Sequence, residues 1–256
     1  MSRRRPRRGA AQGRARNVAP AAPPAPQRLA LIDALRGFAL CLMIVYHFVF
    51  DLVWFHILRA DFNHDPFWLG YRGLVVTMFV GLVGVSLVLA QRKHPGPRAF
   101  WRRVALIAGC AVLVSIASYL AFPQTFIRFG ILHCIAVCSI LARPLVDSPR
   151  LALLLGAAVI AIGNTLHLAL FDMPWLNWVG MMTHKPLTED YVPVLPWLGV
   201  VLIGIALGHW LLARERGPIT TLGRATPAWL AWLGRHSLLI YLLHQPLLVG
   251  ILRVIL

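Results

Sequence analysis

The sequence predicts an all-α protein, a polytopic bundle of about seven transmembrane helices with its N-terminus in the cytoplasm. Three observations carry this. Of 256 residues, 59% are hydrophobic and only 13% charged, and mean hydropathy is +0.70, too little charge to solvate a domain of this length. Apolar runs, each long enough to cross ~30 Å of hydrocarbon, recur along the chain. The 25 Lys and Arg residues, finally, alternate in position with those runs.

Residues 1–28, MSRRRPRRGAAQGRARNVAPAAPPAPQR, are rich in Arg, Ala and Pro and show no apolar periodicity. They read as a disordered basic tail. Residues 29–256 form the membrane domain, with spans expected at 34–55, 73–91, 102–122, 127–145, 150–171, 193–213 and 236–255. Lys and Arg number nine in residues 1–36, five in 92–103, two in 143–150 and four in 214–235, all on one side of this arrangement. Only Arg59, Arg72, Arg128, Lys185 and Arg253 fall on the other. Positive charge marks the cytoplasmic side, so the C-terminus is expected outside. The net charge of +16 follows from topology and does not point to nucleic acid. The bilayer itself is the first expected partner.

The first span is apolar yet polar-studded: DALRGFALCLMIVYHFVFDL holds Arg36, His47 and Asp51. A charge at the bilayer centre costs at least ~2.5–3.5 kcal/mol, so such residues point to function. Arg36 and His47, eleven residues apart, return to within ~20° of one helical face, and Asp51 lies one turn beyond His47. A carboxylate at that spacing can orient an imidazole and equip it as a base. An interhelical packing stripe is the plainer alternative. In the last span, Ser237, Tyr241 and His244 follow helical spacing with Gln245 beside them, and Pro246 interrupts the backbone ladder. His133, in IRFGILHCIAV with Arg128 near its outer end, adds a third intramembrane imidazole.

Two outer loops, 56–72 and 172–192, hold five of the nine acidic residues. His64 lies in the first, while Glu189 and Asp190 stand at the mouth of the sixth span. An amine or sugar hydroxyl is expected to meet the protein on this face. Cys41, Cys110, Cys134 and Cys138 all fall inside spans and suggest no disulfide framework. His133 with Cys134 and Cys138 lacks a fourth ligand, so no metal is expected.

LIDALRGFALCLMIVYHFVFDL, IRFGILHCIAV, DYVPVLPWLGVVLIGIALG and LGRHSLLIYLLHQPLL, taken in order, resemble the bacterial relatives of heparan-α-glucosaminide N-acetyltransferase. The Arg-x10-His spacing of Arg36 and His47 is also similar to the wider superfamily of transmembrane acyltransferases. The resemblance implies transfer of an acetyl group from cytoplasmic acetyl-CoA to an acceptor across the membrane, and an inner (plasma) membrane location. It further implies a catalytic histidine just before the second span, the place of His64. The acceptor is then the amine or hydroxyl of an envelope glycan or a small amine.

On this reading Arg36 and Arg235 meet the donor at the inner rim, with Tyr241, His244 and Gln245 along its path. Arg128, His133, Glu189 and Asp190 serve the acceptor. His47 with Asp51, or else His64, supplies the base, and the polar stripe makes His47 the stronger expectation. A homo-oligomer stays open. So does a proton-coupled transporter or channel in which His47 and Asp51 form a relay.

Overall fold

The computed structural model describes residues 30–92, 96–213 and 226–255. The basic tail expected at 1–28 lies outside these residues, as does most of the basic loop after the sixth span. The described chain is all-helical. The helices are α1 (Ala30–Trp54), α2 (Pro66–Arg92), α3 (Pro97–Ala121), α4 (Ile131–Ala142), α5 (Pro149–Thr165), α6 (Val194–Ala213), α7 (Ala228–Arg235) and α8 (Ser237–Ile255).

Among the described residues five helices (α1, α2, α3, α6 and α8) are long and apolar enough to cross a membrane. Each of the seven expected runs contains one apolar helix, but two are short. The apolar stretch Ile131–Leu145, α4 with its 3-10 extension, starts late because residues 122–130 are not helical. At 1.5 Å per residue, such a segment reaches only ~22 Å. The fifth run ends at Thr165 instead of 171, and the 3-10 turn Ala169–Asp172 follows separately. Proline sets several starts: Pro66, Pro97 and Pro149 each open a helix, where a missing N–H costs nothing.

The bundle is held by close helix crossings and a mid-membrane core. In lipid there is little hydrophobic drive between helices, so small residues that let backbones approach carry the association. Gly84 of α2 lies against the backbone of Val201 and Gly204 in α6, and Gly204 returns the contact on Gly81. Gly37 of α1 faces the carbonyl of Leu230, and Gly234 of α7 faces that of Asp33; a Cβ at either position would collide with backbone. This crossing seats α7 on the N-terminal half of α1, so that α8 begins beside it. The main apolar core joins Val80, Val83 and Val88 of α2 with Cys134 and Cys138 of α4 and Val201 and Ile205 of α6. Many other large apolar side chains face outward, among them Leu106, Leu120 and Leu154, as expected of helices solvated by lipid.

The connections leading into α4 and α6 are tied to each other. Thr188 donates to the Phe126 carbonyl at 2.8 Å and Thr125 to Glu189 at 2.6 Å. Phe129 and Tyr191 form a parallel bridge. Segments 122–130 and 188–192 therefore make one lid over α4 and α6.

Candidate active site

Helical periodicity puts His47 and Asp51 on one stripe of α1, and α8 brings His244 and Gln245 against it. The rings of His47 and His244 meet edge to face with centroids 4.9 Å apart. Gln245 Nε2 donates to Asp51 Oδ1 at 2.6 Å. His47 Nδ1 lies 2.9 Å from the Met43 carbonyl and His244 Nδ1 2.6 Å from that of Tyr241. A carbonyl only accepts, so both Nδ1 atoms carry the proton and both Nε2 atoms keep their lone pair. Asp51 and His244 are buried, at 3% and 8% exposure. Asp51 Oδ2, His244 Nε2 and Gln245 Oε1 have no hydrogen-bond partner among the described residues. All three are acceptors. Such a set is suited to a molecule that presents N–H or O–H groups.

This differs from the sequence expectation at one point. Asp51 was expected to orient His47, and instead it takes the amide of Gln245, 194 residues away. The i, i+4 spacing put the two on one face correctly, but the His47 ring turns back one turn to Met43, and a partner on another helix claims the carboxylate.

His133 stands at the start of α4. Gly130 N–H donates to its Nδ1 at 3.2 Å. Its Nε2 lies 3.3 Å from Ser115 Oγ, whose own proton goes to the Ile127 carbonyl at 2.6 Å. Both ring nitrogens are engaged, which makes His133 a strut between α3 and α4. Asp190 Oδ2 accepts the N–H of Ile131 at 2.9 Å, closing the N-terminus of α4 with a negative charge. Burial raises the Asp190 carboxyl above the usual range, opposed by that N–H and by His47, His133 and Lys185. Asp190 therefore shares a field with the interior histidines. Glu189, by contrast, is exposed and tied to Thr125.

A second imidazole station lies in the α1–α2 loop. Asp61 Oδ1 accepts the backbone N–H groups of Asn63 at 2.9 Å and His64 at 3.0 Å. Its Oδ2 lies 2.8 Å from His64 Nδ1. The His64 side chain is 85% exposed. The hydrogen bond from His64, followed by that from Asn63 N–H, holds the Asp61 carboxyl below the usual carboxylate range. Phe62 anchors this turn, with its ring 5.2 Å from Tyr46, 5.2 Å from Phe50 and 4.5 Å from Trp68. Tyr46 in turn packs edge-on to His47 at 5.6 Å. One aromatic wall thus joins the two stations.

The family model for heparan-α-glucosaminide N-acetyltransferase, catalytic, matches residues 28–246. The chain belongs to that family. It is a membrane acetyltransferase by this membership, and no curated protein and no solved structure matches it. The acetyltransferase family match spans every residue of both stations.

Other residues expected at the site fall nearby or apart from it. Tyr241 packs among the cores of α1, α2, α4 and α8, its ring 5.6 Å from that of His244. Arg36 bonds Asp33 at 3.0 Å and also Ser86, tying the N-terminal part of α1 to α2. Arg235 ends α7 and is exposed. Arg128 is exposed, with its guanidinium over the Phe126 ring at 5.1 Å, on the 122–130 segment of the lid. Among the described residues no three His, Cys, Asp or Glu side chains are grouped to hold a metal ion.

Sequence reasoning missed Asp61, Ser115 and Arg72. Arg72 stands against the Tyr46 hydroxyl; its signal was a lone cation one turn inside an apolar helix. Asp61 had a local signal too, an Asp three residues before a His at a helix entrance. Ser115 had none, because its role depends on the α3–α4 contact.

Proposed function

We propose that this protein transfers an acetyl group from cytoplasmic acetyl-CoA to an amine or hydroxyl of a sugar or other envelope acceptor on the outer side of a bacterial inner membrane. The observation that supports this best is the pair of imidazole stations on α1 and the α1–α2 loop, each with its Nδ1 engaged and its Nε2 lone pair available. Family membership favours this over proton transport through the same stripe.

The division of roles follows from what each station offers. At the inner rim the exposed Arg235 supplies charge for the phosphates of the donor, while Arg36 braces α1 against α2. The pantetheine arm carries amide N–H groups, and Asp51 Oδ2, Gln245 Oε1 and His244 Nε2 are buried acceptors that match them. His47 Nε2 faces the same path. On the outer rim His64 Nε2 takes the proton from the acceptor amine or hydroxyl as that nitrogen or oxygen attacks the thioester carbon. The new C–N or C–O bond forms and the C–S bond breaks. The imidazolium then returns the proton to the leaving thiolate, giving free CoA. Asp190 sets the negative field at the outer end of this route, and Glu189 with Arg128 lines the lid where the acceptor approaches.

The test uses purified protein with acetyl-CoA and two probes, a glucosamine oligosaccharide for amines and an unmodified glucan oligosaccharide for hydroxyls. Mass spectrometry is expected to find one added acetyl group on one of them, and calorimetry to find saturable acetyl-CoA binding. Absence of binding by acetyl-CoA or any other acyl-CoA to folded protein contradicts the proposal.

A further inference from the structure

We infer that Asp61 is the positioning residue that fixes His64 in the one tautomer able to accept a proton from the acceptor, and that it does so by dividing the work of its two oxygens. This rests on the assignment of His64 to proton transfer made above. Oδ1 receives the backbone N–H groups of Asn63 and His64 at 2.9 and 3.0 Å. Oδ2 faces His64 Nδ1 at 2.8 Å. An ionised carboxylate can only accept, so Nδ1 must hold the proton and Nε2 must hold the lone pair. With the side chain 85% exposed, that lone pair is presented outward, toward the side from which the acceptor comes.

The plainer reading is that Asp61 merely folds the turn before α2. The two readings separate at Asp61→Asn. Two backbone N–H groups point at the Oδ1 position, and only an acceptor can serve them, so the asparagine carbonyl must stay there. Its NH2 then occupies the Oδ2 position and points at His64 Nδ1. Nδ1 is forced to accept, the proton moves to Nε2, and the base is lost while the turn is kept. A purely structural Asp61 predicts the opposite, since the turn in Asp61→Asn is intact.

The experiment is 15N NMR of histidine-labelled full-length protein in nanodiscs, read together with acetyl transfer and thermal unfolding. Wild-type protein is expected to show His64 protonated at Nδ1. Asp61→Asn is expected to show it protonated at Nε2, with turnover lower by roughly 10²-fold, in the range of general-base contributions, and an unchanged melting temperature. Asp61→Asn combined with His64→Ala is expected to be no slower than His64→Ala alone. Wild-type turnover in Asp61→Asn, or a loss of turnover with the Nδ1 proton still in place, overturns the inference. Full activity in His64→Ala overturns the assignment of His64 itself, and the NMR readout then reports separately whether Asp61 controls the ring.

Discussion

The interior cluster and the α1–α2 loop both present an imidazole with a free Nε2, yet they hold it by different means. Inside, His47 and His244 are fixed by carbonyls of their own helices, one turn or less away, and the Asp51 carboxylate accepts from Gln245. Outside, a carboxylate holds His64 directly. In lipid an unpaired charge is expensive, and backbone carbonyls orient a ring without adding one. At the aqueous face a carboxylate costs little and can support an imidazolium while the proton is held. The same side chain is thus suited to binding a neutral, amide-bearing arm in one place and to moving a proton in the other.

That contrast can be broken at several points, of which the α1–α7 crossing gives the largest effect. Gly234→Leu places side-chain atoms where the Asp33 carbonyl lies and forces α7 off α1. A loss of about 3 kcal/mol of stability is expected, at the upper end of overpacking costs. Chemical denaturation in detergent measures it, with acetyl-CoA binding lost in parallel because α8 is no longer seated on α1. Next comes Gln245→Leu, which leaves Asp51 buried with neither oxygen paired and is expected to cost about 1–3 kcal/mol. Adding Asp51→Leu is expected to restore most of that stability without restoring acetyl-CoA affinity. Recovery of both would make the pair a packing feature only.

The exposed loops respond to pH instead. Hydrogen bonds from His64 to Asp61 and from Thr183 to Asp172 hold both carboxyls below their usual range. A lowered folded-state value means that the stabilisation is fully present above the ordinary Asp range near pH ~4 and is lost as pH falls through the lowered values. Hydrogen exchange is expected to show residues 61–65 and 172–183 loosening first in acid, with α1 and α8 unchanged. Smallest is Glu189→Gln, on an exposed loop contact with Thr125, where a change within about 0.5 kcal/mol is expected.

The sequence made the helices legible because bilayer thickness imposes a run length, and it made the His47–Asp51 stripe legible because 3.6-residue periodicity is local. It did not show that Asp51 pairs with Gln245, since nothing local links α1 to α8. Nor did it show α7. Ala228–Arg235 is too short to span and reads as part of a basic loop, and its close crossing with α1 at Gly37 and Gly234 gives it a place. At the start of α4, Gly130 is the N-cap, and a Cβ there would meet the Asp190 carboxylate, a contact that depends on residues sixty positions apart. The His64–Asp61 pair was written in four consecutive residues, but without the turn geometry His64 read as an unsupported loop histidine.

The most direct measurement compares His47→Ala and His64→Ala in parallel, reading acetyl-CoA affinity by calorimetry and acetyl transfer by mass spectrometry, with thermal unfolding as control. The expected result is a split. His64→Ala binds acetyl-CoA as the wild type does and turns over roughly 10²-fold or more slowly. His47→Ala binds about tenfold more weakly, a loss of ~1.4 kcal/mol, and recovers much of its turnover at saturating donor. If His47→Ala is dead at saturation while His64→Ala keeps its turnover, the base lies inside the membrane and the assignment of the two stations is contradicted.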